Sequence, residues 1–237
     1  MKNSFTFLVH GDAGVGKSRL LASGPPPVCI LDLEGRSRYL PYPKISWDVE
    51  AEAPPTIEQM EAAGATHCVA VMTKFSVLEL AYRWLATDKH GFRTVGVDSL
   101  TFAQKRFIDK LAGTSALQQQ DWGEVLRTLE NLVRDFCDLP LQQTNTVETV
   151  AFSVGSKSVD NKTIPLLQGA LKDTAAYMYD AVGYMYNAPD QSGQLSRNLL
   201  LQPQGGIVAK DNTDRLGGPV ITQPDLSQLV ARLSEEA

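Results

Sequence analysis

Residues 11–18 read Gly11-Asp12-Ala13-Gly14-Val15-Gly16-Lys17-Ser18. A glycine, four residues, then Gly-Lys-Ser is the spacing of a loop that wraps an anion. Glycines let the backbone turn sharply and aim its N–H groups inward. A helix starting near Gly16 adds the positive end of its dipole. Lys17 is placed to reach β- and γ-phosphates, and Ser18 to offer its hydroxyl to Mg²⁺. The same glycines also suit a plain turn, so the flanks decide. Residues 5–10 (Phe-Thr-Phe-Leu-Val-His) read as a buried strand. From Lys17 to Ala22 the pattern turns helical, and Gly24 with Pro25-Pro26-Pro27 stops it. Strand, loop and helix follow in the order that phosphate binding requires, so all eight residues are assigned to a bound nucleoside triphosphate, with ATP and Mg²⁺ as the expected ligands.

Outward from this loop the chain alternates. Short apolar runs at 28–33, 68–72, 94–97 and 147–154 have the length and β-branching of strands. Helical patterns cover 75–86, 102–111 and 121–138. In the last, Trp122, Val125, Leu126, Leu129, Leu132, Val133 and Phe136 form one stripe, with Asp121 as the expected N-cap. Residues 41–66 hold four prolines among acidic residues and read as an irregular surface insertion with one short helix at 57–63. Residues 180–186 and 198–202 read as antiparallel additions, and the region 222–237 as a C-terminal helix opened by Pro224. The expected fold is α/β: one P-loop NTPase domain over 1–237, a mostly parallel sheet flanked by helices, ligands held at the carboxyl ends of strands.

Composition narrows the classes. The chain has 237 residues, 43% of them hydrophobic, enough for one full-sized core. No run approaches the ~18 apolar residues of a membrane helix. Met1-Lys2-Asn3-Ser4 leads directly into the first strand, leaving no room for a signal peptide, so a cytoplasmic protein is expected. The formal charge of −5 gives no general attraction to nucleic acid, so DNA binding needs a local basic patch. The three cysteines and three histidines are scattered without metal-ligand spacing.

Two strand ends carry further chemistry. Thr94-Val95-Gly96-Val97-Asp98-Ser99 delivers Asp98 to the sheet edge, where it can hold Mg²⁺. Its other reading is a cap for the next helix. Asp32-Leu33-Glu34-Gly35 places two carboxylates that alternate by two and so point one way. Glu34 at the tip is a candidate general base for the attacking water.

The order of glycine-rich loop, strand-end Asp-x-Glu and strand-end Asp-Ser resembles the RecA-like recombinase core. Residues 180–186 (Asp-Ala-Val-Gly-Tyr-Met-Tyr) and Ala209-Lys210-Asp211 through Arg215-Leu216 are similar to phage-encoded RecA-core ATPases of recombination and single-strand annealing. The resemblance spans residues 5–218. It implies that Glu34 activates water and that the protein is a homo-oligomer with nucleotide at the subunit interface. It implies that Lys210 and Arg215 reach a neighbour's γ-phosphate, and that single-stranded DNA is the partner. The loops matched to DNA binding are 113–120 and 155–162, where Lys157 and Lys162 can meet phosphates. Neither loop holds an aromatic side chain for stacking. No counterpart of RecA's N-terminal oligomerisation domain or sizeable C-terminal DNA-binding domain is expected, so filament formation by RecA's usual contacts is not expected either, and Lys210 and Arg215 stand further apart than in the family's motif. Two alternatives share the loop: a small-molecule or nucleotide kinase, which needs an arginine-bearing lid, and a nucleotide-gated DNA-binding accessory protein in which hydrolysis is incidental.

Overall fold

Strand β1 (Phe5–Gly11) is buried along its whole length, and so are β2 (Val28–Asp32), β5 (Thr94–Asp98) and β6 (Thr149–Val154). Strands apolar on both faces belong inside a parallel sheet covered by helices. The computed structural model describes residues 4–87, 90–113, 115–190 and 192–234, and shows that arrangement. The remaining elements in chain order are α1 (Lys17–Ala22), β3 (Lys44–Ser46), α2 (Ile57–Ala62), β4 (His67–Val71), α3 (Phe75–Leu85), α4 (Leu100–Ala112), α5 (Asp121–Asp138), β7 (Ser156–Val159), β8 (Lys162–Pro165), α6 (Leu171–Thr174), β9 (Ala181–Pro189), β10 (Leu195–Leu200), β11 (Lys210–Asp211), β12 (Val220–Thr222) and α7 (Leu226–Ser234).

The described residues form a ten-stranded sheet in the order β12-β10-β9-β1-β6-β5-β2-β4-β3, with β11 also on β9. From β9 to β3 every pairing is parallel. Strands β10, β11 and β12 join antiparallel, as expected for the C-terminal part, but residues 180–186, read as an antiparallel addition, fall mostly in β9, which runs parallel to β1. Side chains alternate between two cores. Leu8, Cys29, Leu31, Val150 and Phe152 face the layer of α3, α4 and α5. Phe7, Val9, Val28, Ile30 and Ala151 face α1 and α7. Helix α7 docks where α1 ends, since the Ser23 hydroxyl accepts from Leu226 N (2.8 Å) and Ser23 O accepts from the Ser227 hydroxyl (2.7 Å).

Several local readings need correction. Segment 41–66 is not only an irregular surface excursion: β3 pairs with β4, and Trp47, Val49 and Met60 are buried in the core. The polar stretch 155–162 is not a loop but most of a β-hairpin. Strands β7 and β8 pair antiparallel around Asp160 and Asn161, both at positive φ (49° and 60°), the geometry of a two-residue hairpin turn. Asp121 is the first residue of α5 rather than its cap, and accepts from Gln118 N at 2.7 Å. The C-terminal helix begins at Leu226, and residues 235–237 lie outside the described residues.

Candidate active site

The loop at 11–18 leaves the carboxyl end of β1. A side chain on Gly11 would collide with the Met185 carbonyl of β9, and Gly14 and Gly16 take φ of 82° and 106°. These positions need glycine for space or for backbone conformation. Val15 does not face the ligand side. Its side chain is buried in the α1 core and anchors the loop, leaving only its backbone to meet phosphate. Helix α1 has six residues, so the loop amides and Lys17 supply more of the positive potential than its dipole. The Lys17 ammonium folds back on its own loop, donating to Gly11 O (2.8 Å) and Asp12 O (2.7 Å). Burial lowers its pKa, against the opposing pull of Glu34, Asp98 and Asp12.

Asp98 ends β5 one strand beyond β6, and β6 brings Ser153 against it. The Ser153 hydroxyl donates to Asp98 Oδ1, while Oδ2 is buried and has no hydrogen-bond partner among the described residues. Burial pushes the carboxyl pKa up; the Ser153 and Ser18 hydroxyls oppose the rise, and Glu34 and Asp32 add to it. A buried, raised carboxyl with an orphaned oxygen beside Ser18 fits a divalent cation, which would satisfy Oδ2 and favour the ionised form. The described residues contain no cluster of three or more His, Cys, Asp or Glu able to hold a metal alone. Mg²⁺ needs only one or two protein oxygens and completes its shell with water and phosphate.

Glu34 lies just past the end of β2, in the turn, so the expected alternation with Asp32 does not apply. The two carboxylates have separate tasks. Asp32 is fully buried and accepts three backbone N–H bonds, from Glu34 (2.9 Å), Gly35 (2.8 Å) and Ser37 (2.8 Å). It shapes the turn that carries Glu34. Glu34 Oε1 accepts from the Ser99 hydroxyl at 2.7 Å, directly after Asp98. Arg106 braces the same turn from below, donating to Leu33 O and Thr73 O at 2.6 Å each. The parallel register that sets Asp32 beside Asp98 therefore brings Glu34 and the metal candidate to one place.

These groups share a cleft of about 600 Å³. It is lined by Gly11, Asp12, Ala13, Gly14, Gly16, Lys17 and Ser18, with Glu34 and Asp98 opposite. It also holds residues that the motifs did not reveal: Arg19, Arg36, Thr101, Ser156 and Arg197. Arg19 follows the motif directly and was open to inference. Arg197, on an antiparallel strand far along the chain, carried no local signal.

His10, the last residue before the loop glycine, ties the site to the β7–β8 hairpin. It is fully buried, and burial pushes its pKa down to about 4, with the Val208 carbonyl opposing and Lys17 adding to the fall. The ring is therefore neutral at pH 7. Val208 O can only accept, so Nε2–H donates to it (2.6 Å) and Nδ1 accepts from the Ser156 hydroxyl (2.8 Å). Lys157, next along β7, donates to Leu167 O at 2.8 Å, while Lys162 on β8 is exposed. Of the other matched loop, Thr114 lies outside the described residues.

Lys210 and Arg215 are not part of this cleft. Lys210, on β11, pairs with Val182 of β9, and burial lowers its pKa while Asp180 opposes the fall. Arg215 donates to Leu233 O of α7 at 3.5 Å. Among the described residues no helix is long and apolar enough to cross a membrane.

Residues 3–213 match the AAA domain family, AAA_24. The fold is similar to that of a solved ATPase, described as a prototypical ATPase from the type III secretion system of pathogenic bacteria, at 14% identity and a TM-score of 0.50. The match covers 77% of this chain and 52% of the other, so this chain spans about half the length of that protein. None of the curated proteins matches the chain.

Proposed function

The chain belongs to the AAA domain family of P-loop NTPases, and from that premise we propose that it is a Mg²⁺-dependent ATP hydrolase of the RecA-like recombinase type, binding single-stranded DNA in recombination or strand annealing, as phages use. One observation carries this reading: Lys17, the orphaned Oδ2 of Asp98 and the Ser99-held Glu34 converge on one cleft at the carboxyl edge of a parallel sheet. In the mechanism, Lys17 releases the Gly11 and Asp12 carbonyls and turns to the phosphates. Ser18 and Asp98 would hold Mg²⁺, which when bound offsets charge on the phosphate oxygens. Glu34 orients a water and takes its proton, and the Ser99 hydroxyl keeps that carboxylate aimed.

The β7–β8 hairpin, through Lys157 and Lys162, is the proposed DNA contact, joined to the nucleotide site through Ser156 and His10. Lys210 and Arg215 stand outside their own cleft, so any part they take in hydrolysis is at a neighbouring subunit of a homo-oligomer. The kinase reading gains one observation, the arginines Arg19, Arg36 and Arg197 in the cleft.

The test measures ATP hydrolysis with Mg²⁺, with and without single-stranded DNA, for the wild type, Lys17→Ala and Glu34→Gln. DNA-stimulated turnover lost in both variants, with ATP still bound by Glu34→Gln, is the expected result. Turnover indifferent to DNA, with no DNA binding at low salt, would sink the recombination reading. Hydrolysis unaffected by Glu34→Gln would remove Glu34 from its role.

A further inference from the structure

Arg197 sits on β10, paired with Asn187 of β9, and projects into the phosphate loop. A Cβ at Gly16 would lie 2.7 Å from its Nε and 2.9 Å from its Cδ. Its side chain therefore lies flat against the loop backbone immediately before Lys17, and it lines the same cleft. It is half-buried, and among the described residues it belongs to none of the ion pairs. A guanidinium directed into an anion cradle, with no ion pair among the described residues, is poised for an anionic ligand.

Its place in the sheet says which part of that ligand it meets. Asp98 and Glu34 follow β5 and β2, on one side of β1. Arg197 is on β10, on the other side, with β9 between. Neighbouring strands are about 4.8 Å apart, so β10 and β5 lie roughly 10 Å from β1 on opposite sides, and β2 roughly 14 Å away beyond β5. A triphosphate with its terminal phosphate at Asp98 and Glu34, running along the loop past Lys17, has its other end directed at β9 and β10. We propose that Arg197 grips the non-transferred end of the nucleotide, the α-phosphate and ribose, and sets nucleotide affinity without entering the hydrolytic step. The proposal rests on the nucleotide reading of the cleft and adds its affinity-determining residue.

A contact made equally before and during phosphoryl transfer changes binding and leaves the chemical step alone. ADP contains the gripped end entirely, so ADP and ATP must respond alike. The full chain, with Mg²⁺, is titrated with ADP and with a non-hydrolysable ATP analogue, and kcat is measured at saturating ATP. Arg197→Met keeps an aliphatic stem over Gly16 and removes the guanidinium; Arg197→Lys keeps the charge and loses the planar fork. Arg197→Met is expected to weaken both nucleotides by the same factor, about ten- to a hundredfold, as for one charged hydrogen-bonding group. Arg197→Lys recovers part of the loss, and kcat stays within about twofold of wild type. A fall in kcat with unchanged ADP affinity would put Arg197 on the transferred phosphate and overturn the proposal. Unchanged affinity and kcat would overturn it as well. If Arg197→Met fails to melt cooperatively, Arg197→Lys and Arg197→Gln are read against the same two outcomes. Lys17→Ala separates the levels: nucleotide binding lost there but untouched by Arg197 variants refutes only the present inference. A wild type that binds no nucleotide refutes the cleft reading itself.

Discussion

Substituting Asp32→Asn tests whether the active-site turn is built by a buried carboxylate. In the wild type Oδ1 accepts from Glu34 N and Gly35 N, and Oδ2 from Ser37 N. Asparagine is the same size, and its one carbonyl oxygen can keep the two Oδ1 bonds. Its amide nitrogen then faces the Ser37 N–H, donor against donor. A hydrogen bond to a charged acceptor is worth about 1.5–3 kcal/mol, and a buried donor left unmet costs about 1–3 kcal/mol. The two overlap, because the second includes the loss of the first, so the expected destabilisation is about 2–3 kcal/mol. Urea unfolding followed by circular dichroism measures it as a lower midpoint at constant slope. The turn also carries Glu34, and a displacement near 1 Å costs about a hundredfold in rate, so turnover should fall while ADP binding stays near wild type. A stability loss below about 0.5 kcal/mol, within the range of an ordinary surface change, would refute the reasoning.

The other predictions use different parts of the molecule. Asp98→Asn removes a buried carboxyl that burial holds in its raised-pKa state, so the variant without ligand should melt no lower than wild type at pH 7.5. The added stability from Mg²⁺ and nucleotide should vanish, and a variant still stabilised by both would show that Asp98 holds no metal. His10 has an ordinary pKa of 6.5 and is pushed down to about 4 in the fold, so the unfolded chain takes up its proton first as pH falls. Its contribution is complete above pH 6.5 and is lost progressively down to about 4, a difference of about 3 kcal/mol. Denaturation between pH 7 and 4 should therefore be less pH-dependent in His10→Gln than in wild type; parallel curves would contradict a buried neutral ring. Phe152→Ala empties a site with no solvent exposure between Phe136 and Tyr179, and urea midpoints should show a loss of about 3–5 kcal/mol.

How much was legible depends on whether the signal was local. The phosphate loop could be read because its chemistry lies in consecutive residues and its flanking strand and helix have their own periodicity. Asp98 and Glu34 could be placed at strand ends because buried parallel strands are continuous apolar runs with a polar stop. The split between Asp32 and Glu34 could not be read. It depends on where β2 ends, and one residue's difference turns a shared direction into separate tasks. The β7–β8 hairpin was missed because Ser156 to Lys162 is polar apart from Val159 and lacks apolar alternation; its signal was the Asp160-Asn161 pair that accepts positive φ. Strand β3 was hidden among prolines, and its three residues are too few for any period to show.

By itself the sequence determined that a phosphate-binding loop lies between a buried strand and a helix, and that the domain is an α/β sheet with antiparallel strands added late. Those properties come from the pattern of neighbours along the chain, which fixes backbone conformation and which faces must be buried. Only the tertiary structure decided which distant residues complete the cleft. Insertion of β6 between β1 and β5 puts Ser153 on Asp98, and register between β2 and β5 puts Ser99 on Glu34. Addition of β9 and β10 to the far side of β1 lays Arg197 across Gly16. Strand order is a long-range choice, set by how helices cover both faces of the sheet, and no local pattern in the chain encodes which side chains it will bring together.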